Sequence, residues 1–363
     1  MLLRIGRPSL RICGINSAIP FLFIVTILVL FFIMHGATTL DPEATASSSH
    51  FKYTTVKGYF LQSEDNTDSS KFDFKKQNFG LIEREYEDHH GQRHEGISQW
   101  QRFESYVRHL NEKSEDGVRF KVLLLGRHGQ GWHNVAETKY GTEAWDCYWS
   151  MLDGADGITW SDANLTGIGK GQAQDVNDLW KALLPKGIPA PETYYVSPLT
   201  RTIETADVTF KGLRLPDHKP YKPIIKELLR EAIGVHTCDR RSTATYIRES
   251  FPHVELEENF SEEDRLWSAD YREPSSARKY RLSKLLDDVF AHDNGAFLSL
   301  TSHSGAIASV LEAVGHRSFD LETGGVIPAF VKAERVHGER ERPPHEPSEG
   351  PPACKLNPAG LPD

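Results

Sequence analysis

Cysteine is scarce in this chain: four in 363 residues, Cys13, Cys147, Cys238 and Cys354. No two form CxxC, and no Cys/His spacing suggests a zinc site. The residues downstream of Cys13 allow at most one disulfide; Cys147 with Cys238 is a candidate pair, and separate thiols are the alternative. No GxSxG elbow occurs, and no GxxxxGK[ST] phosphate loop. The glycines in GRHGQG do not follow the GxGxxG order of a dinucleotide site. Excess positive charge is missing too. The net charge is −9, so no overall field favours nucleic acid as a partner. Basic residues in a site must act by local clustering. No internal repeat is present.

Acidic residues are absent before Asp41. Residues 1–14 carry Arg4, Arg7 and Arg11 and precede the apolar run AIPFLFIVTILVLFFIM. Residues 15–35 therefore have the length of a spanning helix, about 17–25 residues. With arginines on its cytosolic side, a signal-anchor would leave the rest of the chain lumenal or extracellular. A cleaved signal peptide and secretion are the alternative. The sequons at Asn164 and Asn259 fit either topology. Residues 36–50, small and polar, read as a linker.

From 51 to 334 strands alternate with helices. Phe51–Gly96 is irregular; His89, His90 and His94 there read as a solvated loop. Gln99–Lys113 has helical apolar spacing. Val122–Leu125 is a buried strand. Thr166–Leu184 is a helix with Thr166 as its cap and Pro185 beyond its end. Thr193–Val196 and Ala296–Thr301 are strands, each followed by a helical stretch, and Ser275–His292 is helical. Val326–Val331 is the last strand. This alternation predicts an α/β domain with a largely parallel sheet. Residues 335–363, rich in Pro, Glu and Arg, read as a disordered tail.

Chemistry gathers where strands end. Leu125 is followed by Arg127-His128-Gly129, Val196 by Arg201, and Thr301 by His303. Ligands of open α/β sheets bind outside the carboxyl ends of strands, so these residues can meet in one pocket. Arginine forks suit a phosphate. A neutral imidazole can attack it, and adjacent cations favour the neutral form. His128 is the candidate nucleophile. Arg127, Arg201 and His303 are candidates to hold the phosphate oxygens. Glu231, in LLREAIGVHTCDRR, is the candidate acid that protonates the leaving oxygen and then activates water.

RHG after a strand, SPLTRTIETA, REAIGVHTCDRR and SHSG occur in this order. Together they resemble the histidine phosphatase superfamily, in its phosphoglycerate mutase-like branch. The stretches FKYTTVKGYF and YGTEAWDCYWSMLDGADGITWSDANLT are similar to fungal phosphoglycerate mutase-like (phosphomutase-like) proteins. The resemblance covers roughly 51–332. It implies a three-layer α/β/α sandwich with a largely parallel central sheet. It also implies a phosphohistidine at His128, with Arg127, Arg201 and His303 around it, Glu231 as the acid, and Asn134 of WHN at phosphate or substrate. Gln130 stands where many members have Glu. Ser304 stands where acid phosphatase relatives place an Asp, which supports Glu231 as the acid.

The expected substrate is a small phosphomonoester. Hydrolysis, mutase-type transfer and a catalytically silent, membrane-tethered phospho-ligand binder are the competing readings. Arg240 and Arg241 are candidates to grip a substrate carboxylate or second phosphate; a solvated basic pair is the alternative. No metal or cofactor is expected, because histidine attack with arginine clamping needs none.

Overall fold

The computed structural model describes residues 48–86 and 96–355. The elements run β1 (Ser49–Thr55), α1 (Gln99–Lys113), β2 (Val118–Arg127), α2 (Trp132–Tyr140) and α3 (Thr142–Cys147). A short hairpin of β3 (Gly154–Ala155) and β4 (Ile158–Thr159) comes next, then α4 (Gly167–Leu183), β5 (Thr193–Val196), α5 (Thr200–Phe210) and β6 (Pro223–Ile225). The chain continues through α6 (Ala244–Ser250), β7 (Glu255–Leu256), α7 (Ser275–His292), β8 (Phe297–Ser302), α8 (Ser304–Ala313) and β9 (Val326–His337).

Seven strands form the central sheet in the order β1-β9-β2-β8-β5-β6-β7. From β2 through β7 every pairing is parallel. β9 and β1 close one edge antiparallel. Parallel sheets need cover on both faces, and β2 supplies it by alternation. Leu123 and Leu125 pack with Leu286, Phe290 and Ile307 from α7 and α8. Val122 and Leu124 point the other way, against Phe103 of α1 and Trp180 of α4. The result is the three-layer α/β/α sandwich.

Local signals explain the helix starts. Ser98 caps α1 in a reciprocal box with Gln101. The Thr166 hydroxyl accepts from the Gly169 amide at the start of α4. β1 departs from the expected irregular segment. Its Phe51, Tyr53 and Thr55 are buried and the residues between are exposed, a period-two pattern that pairs with the last strand.

Three further expectations are corrected. Among the described residues no helix is long and apolar enough to cross a membrane. The longest, α7, carries Arg278, Lys279, Lys284 and Asp288. On that finding the single-pass membrane assignment, and the lumenal, extracellular or secreted localisation with it, is withdrawn; residues 15–35 lie outside the described residues. Cys147 pairs with Cys354, and Cys238 is a buried free thiol. The spacing rule counts thiols and does not see which surfaces the chain brings together. Finally, β9 extends to His337, and the segment after it is bonded to the domain. Arg340 pairs with Asp287, and the Ser348 hydroxyl accepts from the Arg272 amide. His89, His90 and His94 lie outside the described residues.

Candidate active site

Register delivers the two histidines together. β2 and β8 are neighbours, with Arg127 opposite Ser302. The His128 amide donates to the Ser302 carbonyl at 3.0 Å, and the imidazoles of His128 and His303 sit 5.2 Å apart by ring centroids. β5 lies on the other side of β8, with Val196 opposite Thr301. Beyond it, Asp162 caps α5 by accepting from the Thr200 amide and hydroxyl. Arg201 sits in the first turn and is 1% exposed.

The turn carrying His128 is packed by glycine. A Cβ on Gly129 would lie 2.3 Å from the Gly169 carbonyl oxygen. This close approach lets Gln130 reach the start of α4, where its side-chain oxygen accepts from the Thr166 hydroxyl.

His128 is 3% exposed. Burial, and then the Arg201 charge, push its pKa well below the ordinary histidine range. The ring is therefore neutral. Its Nδ1 lies 2.7 Å from the Gly129 carbonyl oxygen, which can only accept, so Nδ1 carries the proton. Nε2 then holds the lone pair.

His303 is shifted down by the same two causes. Its Nε2 is 2.8 Å from the Ser197 hydroxyl, and its buried Nδ1 has no partner among the described residues. With the hydroxyl donating to Nε2, Nδ1 is a donor with nothing to bind.

Arg201 donates to the Cys238 carbonyl and to Asp239. Asp239 also faces Arg272 at 3.3 Å. Burial raises the Asp239 carboxyl, but Arg272 and Arg201 outweigh it and hold it ionised. Arg201 Nε remains buried without a partner among the described residues, as does Arg127 Nε. Arg127 donates to the Leu321 carbonyl at 2.7 Å.

Glu231 meets the start of α8. Its carboxylate accepts from the amides of Ala232 and Gly305, and Arg278 stands 3.8 Å away. The Glu231 charge acts on Arg127, the candidate phosphate clamp. Asn134 is half-buried, and its side-chain oxygen accepts from the Gly131 amide. It thereby holds the turn into α2.

Arg240 and Arg241 are not joined to this group. Arg241 is fully buried and bonded to Glu227 and to the carbonyls of Ser261, Ser242, Glu262 and Glu263. Its donors are consumed inside the protein, which corrects its reading as a substrate grip. Arg240 pairs with Asp153 and Ser161 and stacks on Trp267.

Sequence reasoning missed His133. Its ring is 5.2 Å from that of His128, and its buried Nδ1 has no partner among the described residues. WHN contained it, but nothing in its spacing marks it. Ser197, Asp239 and Arg278 were missed for the same reason: each acts through a partner distant in sequence.

His236, Cys238 and Asp239 bring possible metal-ligand atoms within 4.8 Å of one another. Asp239 is committed to two arginines, however, and burial pushes the Cys238 thiol up.

The histidine phosphatase superfamily (branch 1) profile matches residues 153–322, a span that includes Arg201, Glu231 and His303. A probable phosphoglycerate mutase of Arthroderma benhamiae is 51% identical over 292 residues, 80% of this chain and 87% of its own length. The chain belongs to the histidine phosphatase superfamily. Phosphomutase-like protein 3 of Candida albicans is 36% identical over 288 residues, 79% of this chain and 82% of its own. Among solved structures, a phosphoglycerate mutase from Thermus thermophilus aligns with a TM-score of 0.30 at 19% identity, covering 57% of this chain and 91% of that one. Membership of the histidine phosphatase superfamily makes the chain an enzyme of phosphatase or phosphomutase type.

Proposed function

We propose that the chain hydrolyses small phosphomonoesters through a phosphohistidine on Nε2 of His128. In the first step the Nε2 lone pair attacks phosphorus, the ester P–O bond breaks, and the leaving oxygen takes a proton from Glu231. In the second step water attacks phosphorus, the P–N bond breaks, and Glu231 takes the water's proton. Arg127, Arg201, His303 and His133 hold the oxygens, with Asn134 fixing the turn between the first and last of these.

One observation carries this reading. Buried polar atoms in folded proteins are nearly always paired. Here Nε of Arg127, Nε of Arg201, Nδ1 of His133 and Nδ1 of His303 are buried without partners among the described residues, in side chains whose charges act on one another. Arginine forks with imidazoles that can donate suit an oxyanion that passes through a charged transition state.

The test is hydrolysis of an aryl phosphate by the purified protein. His128→Ala is expected to cut kcat/KM on the order of 10³-fold or more, with loss of an acid-labile phosphoryl adduct by mass spectrometry. Unchanged activity in the variant overturns the mechanism.

The name of the Arthroderma relative favours a second reading, phosphotransfer between positions of a phosphoglycerate. The burial of Arg241, one candidate for a second anionic group, weighs toward hydrolysis. The same assay on 3-phosphoglycerate separates the two by isomer formed against phosphate released.

A further inference from the structure

We propose that Arg272 is a positioning residue for the phosphate clamp Arg201, and that the segment after β9, locked by the Cys147–Cys354 bridge, keeps Arg272 in place. Opening the bridge then weakens phosphate binding. The proposal rests on the phosphatase reading above and adds the regulation of that site.

Arg201 donates to one oxygen of Asp239 at 3.0 Å. Asp239 and a phosphate therefore compete for the same guanidinium. Arg272 meets the other oxygen of Asp239 at 3.3 Å. It shares the carboxylate and so reduces the hold of Asp239 on Arg201. Asp146 is a second acid that acts on Arg272, from beyond ion-pair distance. The Arg272 side chain also donates to the Gly234 carbonyl at 2.9 Å, which fixes it against the loop that carries Asp239.

That loop is strained. Val235 is buried with φ at +61°, a left-handed conformation that β-branched residues rarely take. Such a residue persists where its surroundings hold it. Here residues 268–273 do so. The Val235 amide donates to the Ser268 carbonyl at 2.7 Å, and the Glu273 amide to the Ile233 carbonyl at 2.8 Å.

Residues 271–275 are braced in turn by the segment after β9. Both backbone groups of Arg272 are bonded to it. The Arg272 amide donates to the Ser348 hydroxyl at 2.8 Å, and the Glu349 amide to the Arg272 carbonyl at 3.1 Å. The Tyr271 hydroxyl donates to the Glu346 carbonyl, and the Ser275 amide to the Glu349 carboxylate. His345 stacks on Tyr271 at 5.7 Å.

Glu346 and Glu349 are exposed, so water competes for these bonds and each is weak by itself. Their persistence depends on keeping the segment close. Cys354 does this through its bond to Cys147. A short covalent tether holds bonding partners at high effective concentration. Lys355 pairs with Glu143 just beyond it, but at an exposed site where an ion pair contributes little. The other end of the bridge is near the catalytic group as well. Trp145 of α3 meets the ring of His236 edge on at 6.3 Å, and His236 acts on His133.

A dithiol opens the bridge. Its thiolate attacks one sulfur, the S–S bond breaks, and its second thiol displaces the mixed disulfide. The dithiol ends as a disulfide; Cys147 and Cys354 end as two thiols and carry its two protons.

Phosphate binding is measured by calorimetry on purified full-length protein, before and after dithiothreitol. A thiol count on the denatured chain confirms that the bridge has opened. Reduction is expected to raise the Kd of inorganic phosphate, and the KM for p-nitrophenyl phosphate, about fivefold, the scale of one hydrogen bond. The accompanying change in kcat is expected to stay below about twofold, because the loss is one of binding. Cys354→Ser is expected to match the reduced protein and to ignore dithiothreitol, which separates the bridge from the thiols of Cys13 and Cys238. Arg272→Ala is expected to raise the phosphate Kd about tenfold, and Arg272→Lys to restore part of it. Reduction of Arg272→Ala is expected to add nothing further, because the two changes act along one route.

Equal Kd in the oxidised and reduced protein overturns the proposal. A loss on reduction that is undiminished in Arg272→Ala also overturns it, since the segment would then act by another route. Should Cys354→Ser fail to fold, reduced wild type and the Arg272 variants still decide the matter. Phosphate binding is read without turnover. A redox-sensitive Kd in a protein that does not cleave the aryl phosphate, or whose His128→Ala variant cleaves it equally, supports the coupling and fails the phosphatase reading.

Discussion

Ser197 illustrates how one hydroxyl governs a distant imidazole. It touches Nε2 of His303 at 2.8 Å; with the hydroxyl donating, the proton sits on Nδ1. Without that contact the ring can take the other tautomer, and Nδ1 no longer donates to the phosphoryl oxygens. Ser197→Ala is expected to lower kcat about tenfold with little change in KM, the size of one neutral hydrogen bond. Ser197→Thr is expected to restore it. Steady-state kinetics on an aryl phosphate check this; a loss confined to KM, or no rescue by threonine, removes Ser197 from the positioning role. His133 belongs to the same scale. It is buried against His128 and lowered by burial and by Arg201, so it is a second neutral imidazole beside the nucleophile.

Between elements, the contact that matters most is the one between the His128 turn and the start of α4. Gly169 faces Gln130 as Gly129 faces Gly169; a Cβ on Gly169 would lie 2.2 Å from the Gln130 carbonyl oxygen. That obstacle is backbone and cannot rotate away. Gly169→Ala is expected to cost about 1–3 kcal/mol of stability and to reduce kcat by about 10²-fold through displacement of His128. Gly171→Ala is the control. It lies in the same helix with nothing near its Cβ position, and alanine is the better helix former. Urea midpoints and kcat for both variants check the pair. Equal behaviour of the two would mean that the glycine contact does not place the nucleophile.

Across the whole molecule, buried histidines make stability depend on pH. His128, His133 and His303 are lowered well below their ordinary value, and burial lowers His236 to about 4. Between those depressed values and about 6.5, the unfolded chain binds protons that the folded chain refuses. Stability therefore rises with pH through that window and falls as pH drops below about 6.5. Tm is expected to decline from pH 7.5 to pH 5, and inorganic phosphate is expected to reduce the decline, because an anion beside three imidazoles favours their protonation. Thermal melts with and without phosphate check this; a flat Tm, or no phosphate effect, contradicts the buried neutral cluster. The Cys147–Cys354 bridge also acts at this scale. It ties residues 207 positions apart and fastens the segment after β9 to the region of α3.

The sequence by itself made several strands of the sheet and the candidate site residues legible. Val122–Leu125, Thr193–Val196 and Ala296–Thr301 are short, largely apolar runs that read as buried strands, and a reactive side chain follows each within a few residues. Local chemistry was equally legible at Thr166, because a cap acts within its own helix. Tertiary structure decided the rest. Strand order made β2, β8 and β5 neighbours and so joined His128, His303 and Arg201. It sent Arg241 inward to Glu227, brought Cys354 and not Cys238 to Cys147, and pressed His133 against the nucleophile. Those outcomes depend on which surfaces meet in the folded chain, and spacing along the sequence carries no record of that.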